Sequence, residues 1–322
     1  MTTVKWGIIG AGNISKKFAS DVVQTENGKL VAVASNTLEK AQKFVEPFEN
    51  VQACSYEELL NNPEIDIVYI GTLHPMHKDG VVRCLEAGKS VLCEKPFMMN
   101  AEETKEVIEL AKEKGLFLME AMWTRYLPVV VQTKKWIAEG RIGDVTKLTA
   151  NFGFDIGFQP EHRLLNKELG GGALLDAGIY PVSFASFIFN EQPKNIMSTA
   201  HIGETGVDEH FSAIFEYENS KSAVLSAGVR LQLSNDAFIY GTNGYIHVED
   251  FLFGRKATLY EKGKDPVEMV CDRQVNGYFF EAEEAMECLR AGEKESAVMP
   301  LQETYEIMST MDQLRKQWGL EY

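Results

Sequence analysis

Val91-Leu92-Cys93-Glu94-Lys95-Pro96 is the stretch that decides how this chain folds. A short apolar run of strand composition ends there in a carboxylate, an ammonium and a proline, so the charged pair stands at the carboxyl end of a strand. Open α/β sheets bind their ligands along that edge. Pro96 also disfavours helical dihedrals at Lys95, which leaves the lysine extended and projecting from the strand end. The chain before Lys95 reads as a nucleotide-binding unit, and the chain beyond Leu118 as a different kind of domain. The active site is expected at their junction.

Upstream, the strand-like run Val4–Ile9 breaks into Gly10-Ala11-Gly12-Asn13-Ile14-Ser15, and Lys16-Lys17-Phe18-Ala19 follows with helical spacing. Glycines in such a turn let the backbone approach a pyrophosphate, whose charge the free N–H groups of the helix N-terminus stabilise. Ser15 stands where the pattern has a third glycine, the one that serves helix–strand packing. A second strand over 30–34 leads to Ser35-Asn36-Thr37, where an acidic residue would grip the adenosine ribose. No carboxylate is present. Polar side chains there can donate to a 2'-phosphate, with Lys40 one turn further on, so NADP(H) is favoured and NAD(H) is the alternative. The same residues can simply cap the helix beginning near Leu38, and both readings stay open.

A strand over 65–70 then runs into Gly71-Thr72-Leu73-His74-Pro75-Met76-His77. Thr72 and His74 would lie at the ligand edge, with His77 close behind. The two histidines suit a metal on one helical turn, but no third ligand cluster accompanies them, and no metal is expected. A helix over 81–87 stopped by Gly88, a strand over 90–93, a helix over 101–115 and a closing strand over 116–119 complete an alternation of strand and helix that predicts a parallel doubly wound sheet.

Composition narrows the partners. With 47 acidic against 32 basic side chains, the net charge of −15 repels polyphosphate and argues against nucleic acid or an anionic membrane. No apolar run approaches the roughly 20 residues of a membrane span. The first strand begins within a few residues of Met1, so no signal peptide is expected. The five cysteines form no C-x-x-C pair, so a reducing cytoplasm is the simplest setting.

Downstream, a helix over 127–138 and a strand over 146–154 precede Leu169-Gly170-Gly171-Gly172-Ala173-Leu174-Leu175-Asp176-Ala177-Gly178-Ile179-Tyr180-Pro181. The apolar spacing of Leu174, Leu175, Ile179, Val182 and Phe184 predicts a helix starting at the end of the glycine loop. Asp176 and Tyr180, four residues apart, would then share a face and could serve an alcohol. An aspartate favoured by the helix dipole and a tyrosine in the core is the competing reading. From Lys194 onward the apolar positions alternate with period two (Phe211, Ala213, Phe215, Tyr217; Ala223, Leu225, Ala227, Val229), and turns at 218–220 and 242–244 join them as antiparallel hairpins. One face of that sheet packs on the 173–189 helix and the other is free, which suggests sheet-to-sheet dimerisation. Helices over 281–291 and Leu301–Trp318 close the chain.

The segments GIIGAGNIS, GTLHPMH, GKSVLCEKP and MEAMWTRYLP together resemble the Gfo/Idh/MocA oxidoreductases, the last three most closely the dihydrodiol dehydrogenase branch. The resemblance spans nearly the whole chain. It implies an α/β protein: an N-terminal Rossmann-type doubly wound parallel sheet over 1–119, then a C-terminal α+β domain with a large, mainly antiparallel open-faced sheet over 120–322, for substrate binding and dimerisation, whose last helix can pack back on the first domain. It implies dinucleotide contacts at Gly10, Gly12, Asn13, Ile14, Ser35, Asn36, Thr37, Thr72, His74, His77, Glu94 and Lys95. The family's D-x-G-x-[H/Y] motif falls on Asp176 and Tyr180, which with Lys95 become the catalytic set. Trp123, Phe152 and Phe154, with Arg125, would form a wall for a flat or cyclic substrate, aromatic core being the alternative.

The expected activity is hydride transfer between nicotinamide and a secondary alcohol or carbonyl of a small cyclic diol, sugar or dicarbonyl. Free tyrosine titrates near ~10 and lysine near ~10.4, so each needs the other's charge or burial to exchange a proton at neutral pH. An NAD(H)-dependent sugar or inositol dehydrogenase is the second reading. A non-catalytic nucleotide-binding redox sensor is a third, which the lysine, aspartate and tyrosine argue against because binding alone needs no proton-transfer groups. The substrate itself, and the direction of the reaction, depend on loops over 154–168 and 231–236 that the sequence does not shape.

Overall fold

The computed structural model describes residues 2–322. The chain divides into two compact units, Met1–Trp123 with Gln274–Tyr305, and Thr124–Arg273 with Glu306–Tyr322. In the first unit, strands β1 (Val4–Ile9), β2 (Gly28–Ala34), β3 (Gln52–Cys54), β4 (Ile67–Ile70), β5 (Ser90–Glu94) and β6 (Leu118–Ala121) alternate with helices α1 (Asn13–Val22), α2 (Leu38–Val45), α3 (Tyr56–Leu60), α4 (His77–Glu86) and α5 (Ala101–Lys114). The strands make one parallel sheet in the order β3-β2-β1-β4-β5-β6. Every residue of β4, β5 and β6 is buried, as in strands covered on both faces, so they read as mostly apolar runs, and Glu94 and Glu120 are carboxyls taken into the interior. The strand order reverses between β1 and β4, so the ligand crevice of this topology lies outside their carboxyl ends.

Local chemistry sets the helix limits. α5 starts where the Asn100 side chain accepts the Glu103 N–H at 2.8 Å, and ends at Gly115 with φ of 63°. Leu116 completes that cap by bonding back to the Ala111 carbonyl, so the last strand begins at Leu118 and not at 116 as the apolar run suggests.

The second unit contains α6 (Pro128–Ala138), β7 (Val145–Gly153), a π-helical turn over Leu174–Gly178, α7 (Ile179–Phe189), and strands β8 (Asn195–Ile202), β9 (Asp208–Glu216), β10 (Ser222–Gly228), β11 (Ala237–Gly241), β12 (Gly244–Glu249), β13 (Lys256–Glu261) and β14 (Val267–Val270). These eight strands form one sheet, β14-β13-β12-β11-β7-β10-β9-β8, antiparallel except for the β7–β10 pair. Phe211, Ala213, Phe215, Ala223, Leu225 and Ala227 point to the buried face, which α7 covers. The intervening residues of β9 are exposed, among them Ile214. Contrary to the expectation that no apolar run is long enough, Lys167–Phe189 could cross a membrane by length and composition, but it is 94% buried in the structure, so its hydrophobicity serves this core.

Two expectations change. The segment after the glycine loop is not a continuous α-helix from Leu174, because its first turn is π-helical. The domain limit at 119/120 also differs from the compact units: the first runs on to Trp123 and takes back 274–305. The reason is local. Helix α8 (Tyr278–Ala291) has no side-chain cap of its own. Instead the buried Asp21 carboxylate of α1 accepts the Asn276 N–H and Nδ2–H at 3.0 Å and the Phe279 N–H at 2.9 Å. Leu301, where α9 (Leu301–Trp318) begins, joins the core cluster that contains Val91, Cys93, Phe97 and Leu118. Asp21→Ala is expected to cost about 2–4 kcal/mol, since it strands several buried donors, and urea unfolding measures it.

Candidate active site

The glycine turn is set by steric need. The ends of β1 and β4 come so close that a Cβ on Gly10, whose φ is 102°, would lie 2.7 Å from the Gly71 carbonyl oxygen. Gly12 is the N-cap of α1, and only Gly71 O lies within 4 Å of where its Cβ would be. Open space therefore stands at the head of α1, which has neither a side-chain cap nor an acidic first turn. A helix start of this kind binds anions. Asn13 is exposed there and Ile14 half-buried. Ser15 is buried with Oγ 3.4 Å from Gly71 O, so the serine in the third glycine position packs the helix onto the sheet.

After β2, the Ser35 hydroxyl donates to Asn36 Oδ1 at 3.4 Å, and Thr37 caps α2 by accepting the Lys40 N–H. Thr37 is thus a helix cap in this structure. Ser35 and Asn36 line an open cleft of about 280 Å³ with Leu38, Ser55, Tyr56 and Glu58. The Glu58 carboxyl is held below its usual range by the Ser55 N–H and hydroxyl, so it stays charged on the cleft wall. Next to this cleft, Ile9, Tyr56, Thr72, Met76 and Arg83 line a second pocket, and the Arg83 guanidinium stands 5.7 Å over the Tyr56 ring. An anion-binding helix start with apolar and polar pockets on the same unit fits a dinucleotide.

His77 is held on backbone carbonyls. It is fully buried, with Nδ1 3.0 Å from Pro96 O and 3.3 Å from Phe97 O, and Nε2 3.2 Å from Thr72 O. Burial lowers its pKa in spite of these carbonyls. The ring ties the turn after β4 to the turn after β5. His74 stands edge-on to it at 5.8 Å. Glu94 is also an interior group: the Tyr69 hydroxyl donates to its Oε1, and the Lys95 N–H donates to its Oε2 at 3.2 Å. Tyr69 is pushed well above its usual pKa by burial and by the Glu94 and Glu281 carboxyls. Buried Glu281 is likewise raised, first by desolvation and then by Glu94 and Asp21. Lys95 follows directly, half-buried, at the end of a strand whose terminal carboxylate is locked in place. Trp123 is buried against Tyr278, ring centroids 5.3 Å apart.

In the second unit, Tyr180 lies one residue into α7, and the Phe152 ring meets it edge-on at 5.6 Å and 87°. Phe154 follows at 5.7 Å from Phe152. Asp176 sits in the π turn, and Arg163 Nη1 donates to its Oδ1 at 2.9 Å. Glycine at 178 is required because a Cβ there would lie 2.5 Å from the Phe211 ring. Arg125, expected at the substrate, is 2% exposed, its Nε and Nη2 on Ser183 Oγ at 3.1 and 3.0 Å, with Phe187 under the guanidinium. It holds α7 in place. The sequence reading missed Arg163, which lies in a polar loop without periodicity, and Tyr69, which looks like any core aromatic in its strand.

Residues 4–122 match the oxidoreductase family with an NAD-binding Rossmann fold, and residues 130–247 match the GFO/IDH/MocA C-terminal domain. The chain belongs to the Gfo/Idh/MocA family and is an NAD(P)-dependent oxidoreductase acting on CH–OH groups. It is 39% identical to the trans-1,2-dihydrobenzene-1,2-diol dehydrogenase of Xenopus tropicalis over 99% of both chains. Among solved structures, it resembles a 3-ketoreductase from Actinomadura kijaniata in complex with NADP and TDP-benzene (TM-score 0.85, 23% identity, 98% of each chain). It also resembles a levoglucosan dehydrogenase in complex with NADH and levoglucosan (TM-score 0.87, 18% identity, 99% of this chain and 98% of that one). Tyr69→Phe removes the hydroxyl that serves the buried Glu94 carboxylate, and should cost about 1.5–3 kcal/mol in a denaturation experiment.

Proposed function

We propose that this chain transfers hydride between NADP(H) and a secondary alcohol or carbonyl of a small cyclic diol, sugar or dicarbonyl, with Lys95, Asp176 and Tyr180 as the chemical groups. The observation that carries this reading is the setting of Tyr180: a phenol against the edge of Phe152, with Phe154 beyond it and an arginine-fixed aspartate one turn earlier. An aromatic wall beside a proton-exchanging hydroxyl suits a flat or cyclic substrate, in keeping with the name of the frog relative.

Bound nicotinamide supplies or accepts the hydride. The chain's own work is to hold the carbinol and move its proton. Tyr180 takes the hydroxyl proton during oxidation and returns it during reduction. The Lys95 ammonium favours phenolate and holds the substrate oxygen, and Asp176 orients lysine and substrate hydroxyls. Gly10, Gly12, Asn13 and Ile14 hold the pyrophosphate, while Thr72 and His74 border the nicotinamide side. Glu94 contributes by fixing the backbone of Lys95.

Ser35 and Asn36 support NADP(H) as donors to a 2'-phosphate, with Lys40 as counter-charge. Glu58 on the same cleft opposes that phosphate, which favours the second reading, an NAD(H)-dependent sugar dehydrogenase. The outward face of the second unit's sheet carries exposed Met197 and Ile214 and the stacked rings of Tyr245 and Tyr260, 4.5 Å apart. This supports a homodimer through the sheet, which light scattering tests. Free thiols at all five cysteines suit a reducing cytoplasm.

Tyr180→Phe is expected to lower turnover by about 10²–10⁴-fold while nucleotide affinity by fluorescence titration stays unchanged. Undiminished turnover would remove the assignment. Glu58→Gln should tighten NADPH several-fold and leave NADH alone, and equal changes in both would show that no phosphate approaches that cleft.

A further inference from the structure

The last turn of α9 is tied to the sheet of the second unit: Gln317 Nε2 donates to the Ile196 carbonyl at 2.7 Å, Trp318 Nε1 donates to Ser198 Oγ at 2.9 Å, and the Trp318 ring lies 5.2 Å from Phe211. Gly319, at φ of 66°, then turns the chain, and the Leu320 N–H closes back on the Arg315 carbonyl at 3.0 Å. The turn delivers Tyr322 to the glycine loop. Its hydroxyl donates to the Gly171 carbonyl and also stands 3.4 Å from Asp208 Oδ1. Asp208 is fully buried, and its Oδ2 accepts the Leu174 N–H at 2.6 Å, at the first residue of the π turn that carries Asp176.

The space is built for this pair. A Cβ on Gly172, whose φ is 117°, would lie 2.3 Å from Asp208 Oδ1 and 2.6 Å from the Tyr322 oxygen. A side chain there would expel both. Gly171 and Gly172 are themselves fixed by donating to the Asn166 and Leu164 carbonyls at 2.9 and 2.8 Å, the loop that also presents Arg163 to Asp176.

Proton count adds a second constraint. A phenol has one hydrogen, and the Gly171 carbonyl takes it. The 3.4 Å contact with Asp208 Oδ1 is the weak second branch of that donation, and a protonated Asp208 carboxyl would replace it with a full hydrogen bond to the phenol oxygen. Burial raises Asp208 to about 7, against the lowering effects of the Leu174 and Asp208 N–H groups, Tyr322 and Arg315. Arg315 lies over the Tyr322 ring and is paired with Asp312, and the neighbouring Glu209 is engaged by Arg230 and His201.

We propose that Tyr322 and Asp208 form a positioning latch that holds the Leu174–Gly178 π turn in its working shape, and through it Asp176 and Tyr180. Neither residue touches the reacting atoms. The latch rests on the reading of Asp176 and Tyr180 as the catalytic groups, and its test separates the two ideas by reading backbone protection as well as turnover.

The experiment compares the full-length wild type with Tyr322→Phe, Asp208→Asn, Asp208→Ala and, as reference, Tyr180→Phe. Each is assayed with the best alcohol substrate of the wild type and followed by hydrogen exchange over residues 173–178. Tyr322→Phe should speed exchange there about three- to tenfold and lower kcat by a similar factor, with NADPH affinity unchanged. Asp208→Ala should behave alike or worse. Asp208→Asn keeps an acceptor for Leu174 and a permanent donor to Tyr322, so it should retain protection and turnover. It should also gain stability over the wild type as pH rises. A raised carboxyl pKa stabilises the folded state fully below the unfolded value of about 3.9, and that contribution is lost as pH climbs through about 7. Unchanged exchange in Tyr322→Phe overturns the latch whatever the activity does. Faster exchange with unaltered kcat overturns its positioning role. Full activity in Tyr180→Phe overturns the site reading instead, and the exchange data then still decide whether the latch holds the turn.

Discussion

How closely the carboxyl ends of β1 and β4 approach each other sets what the first unit can do. With a Gly10 Cβ excluded at 2.7 Å from the Gly71 carbonyl and a Gly71 Cβ excluded by Ser15 and Tyr69, the residues that leave these two strands are held to glycine, and backbone borders the crevice there. Bare backbone, with helix α1 starting directly behind it, presents N–H groups to an anion without first burying a charged side chain. That matters in a protein of net charge −15, whose overall field repels phosphates. Binding has to come from a few oriented dipoles at short range.

The interior below that edge is unusually acidic for a hydrophobic sheet. Buried Glu281 feels the charges of both Glu94 and Asp21, which are buried too, and two different solutions keep the three there. Asp21 is satisfied by donors at the start of α8, and Glu94 by Tyr69 and the Lys95 backbone. Glu281 is driven toward its neutral form by burial and by the other two. A carboxylate that must be held by donors on separate elements fixes the geometry of those elements, and here that fixes the backbone next to Lys95.

The second unit meets its need for precision in another way. A π turn widens the helix by one residue and is costly to keep without tertiary support. Gly178 against Phe211 and Asp208 on the Leu174 N–H supply that support. The residues expected to do chemistry thus stand on a segment whose conformation is imposed from outside it. Arg125 shows the same economy, since a cation quoted in the motif MEAMWTRYLP serves α7 from the interior.

Strand–helix alternation, the glycine turn, the Glu94-Lys95-Pro96 edge and the period-two runs of the second sheet were legible in the sequence because each depends on residues near one another in the chain. The fold class and the family followed from them. What the chain order could not reveal is which polar group finds which partner. Thr37 caps its helix through a neighbour three residues on, as the sequence allowed, whereas the ties of His77 to the turn after β5 and of Arg125 to Ser183 depend on burial and on partners from other elements. The π turn, the Arg163–Asp176 pair and the return of 274–305 to the first unit have the same origin. Periodicity reports which face of an element is apolar, whereas the direction of a buried charge depends on partners from other elements, from Arg163 for Asp176 to the start of α8 for Asp21, and only the folded chain brings those together.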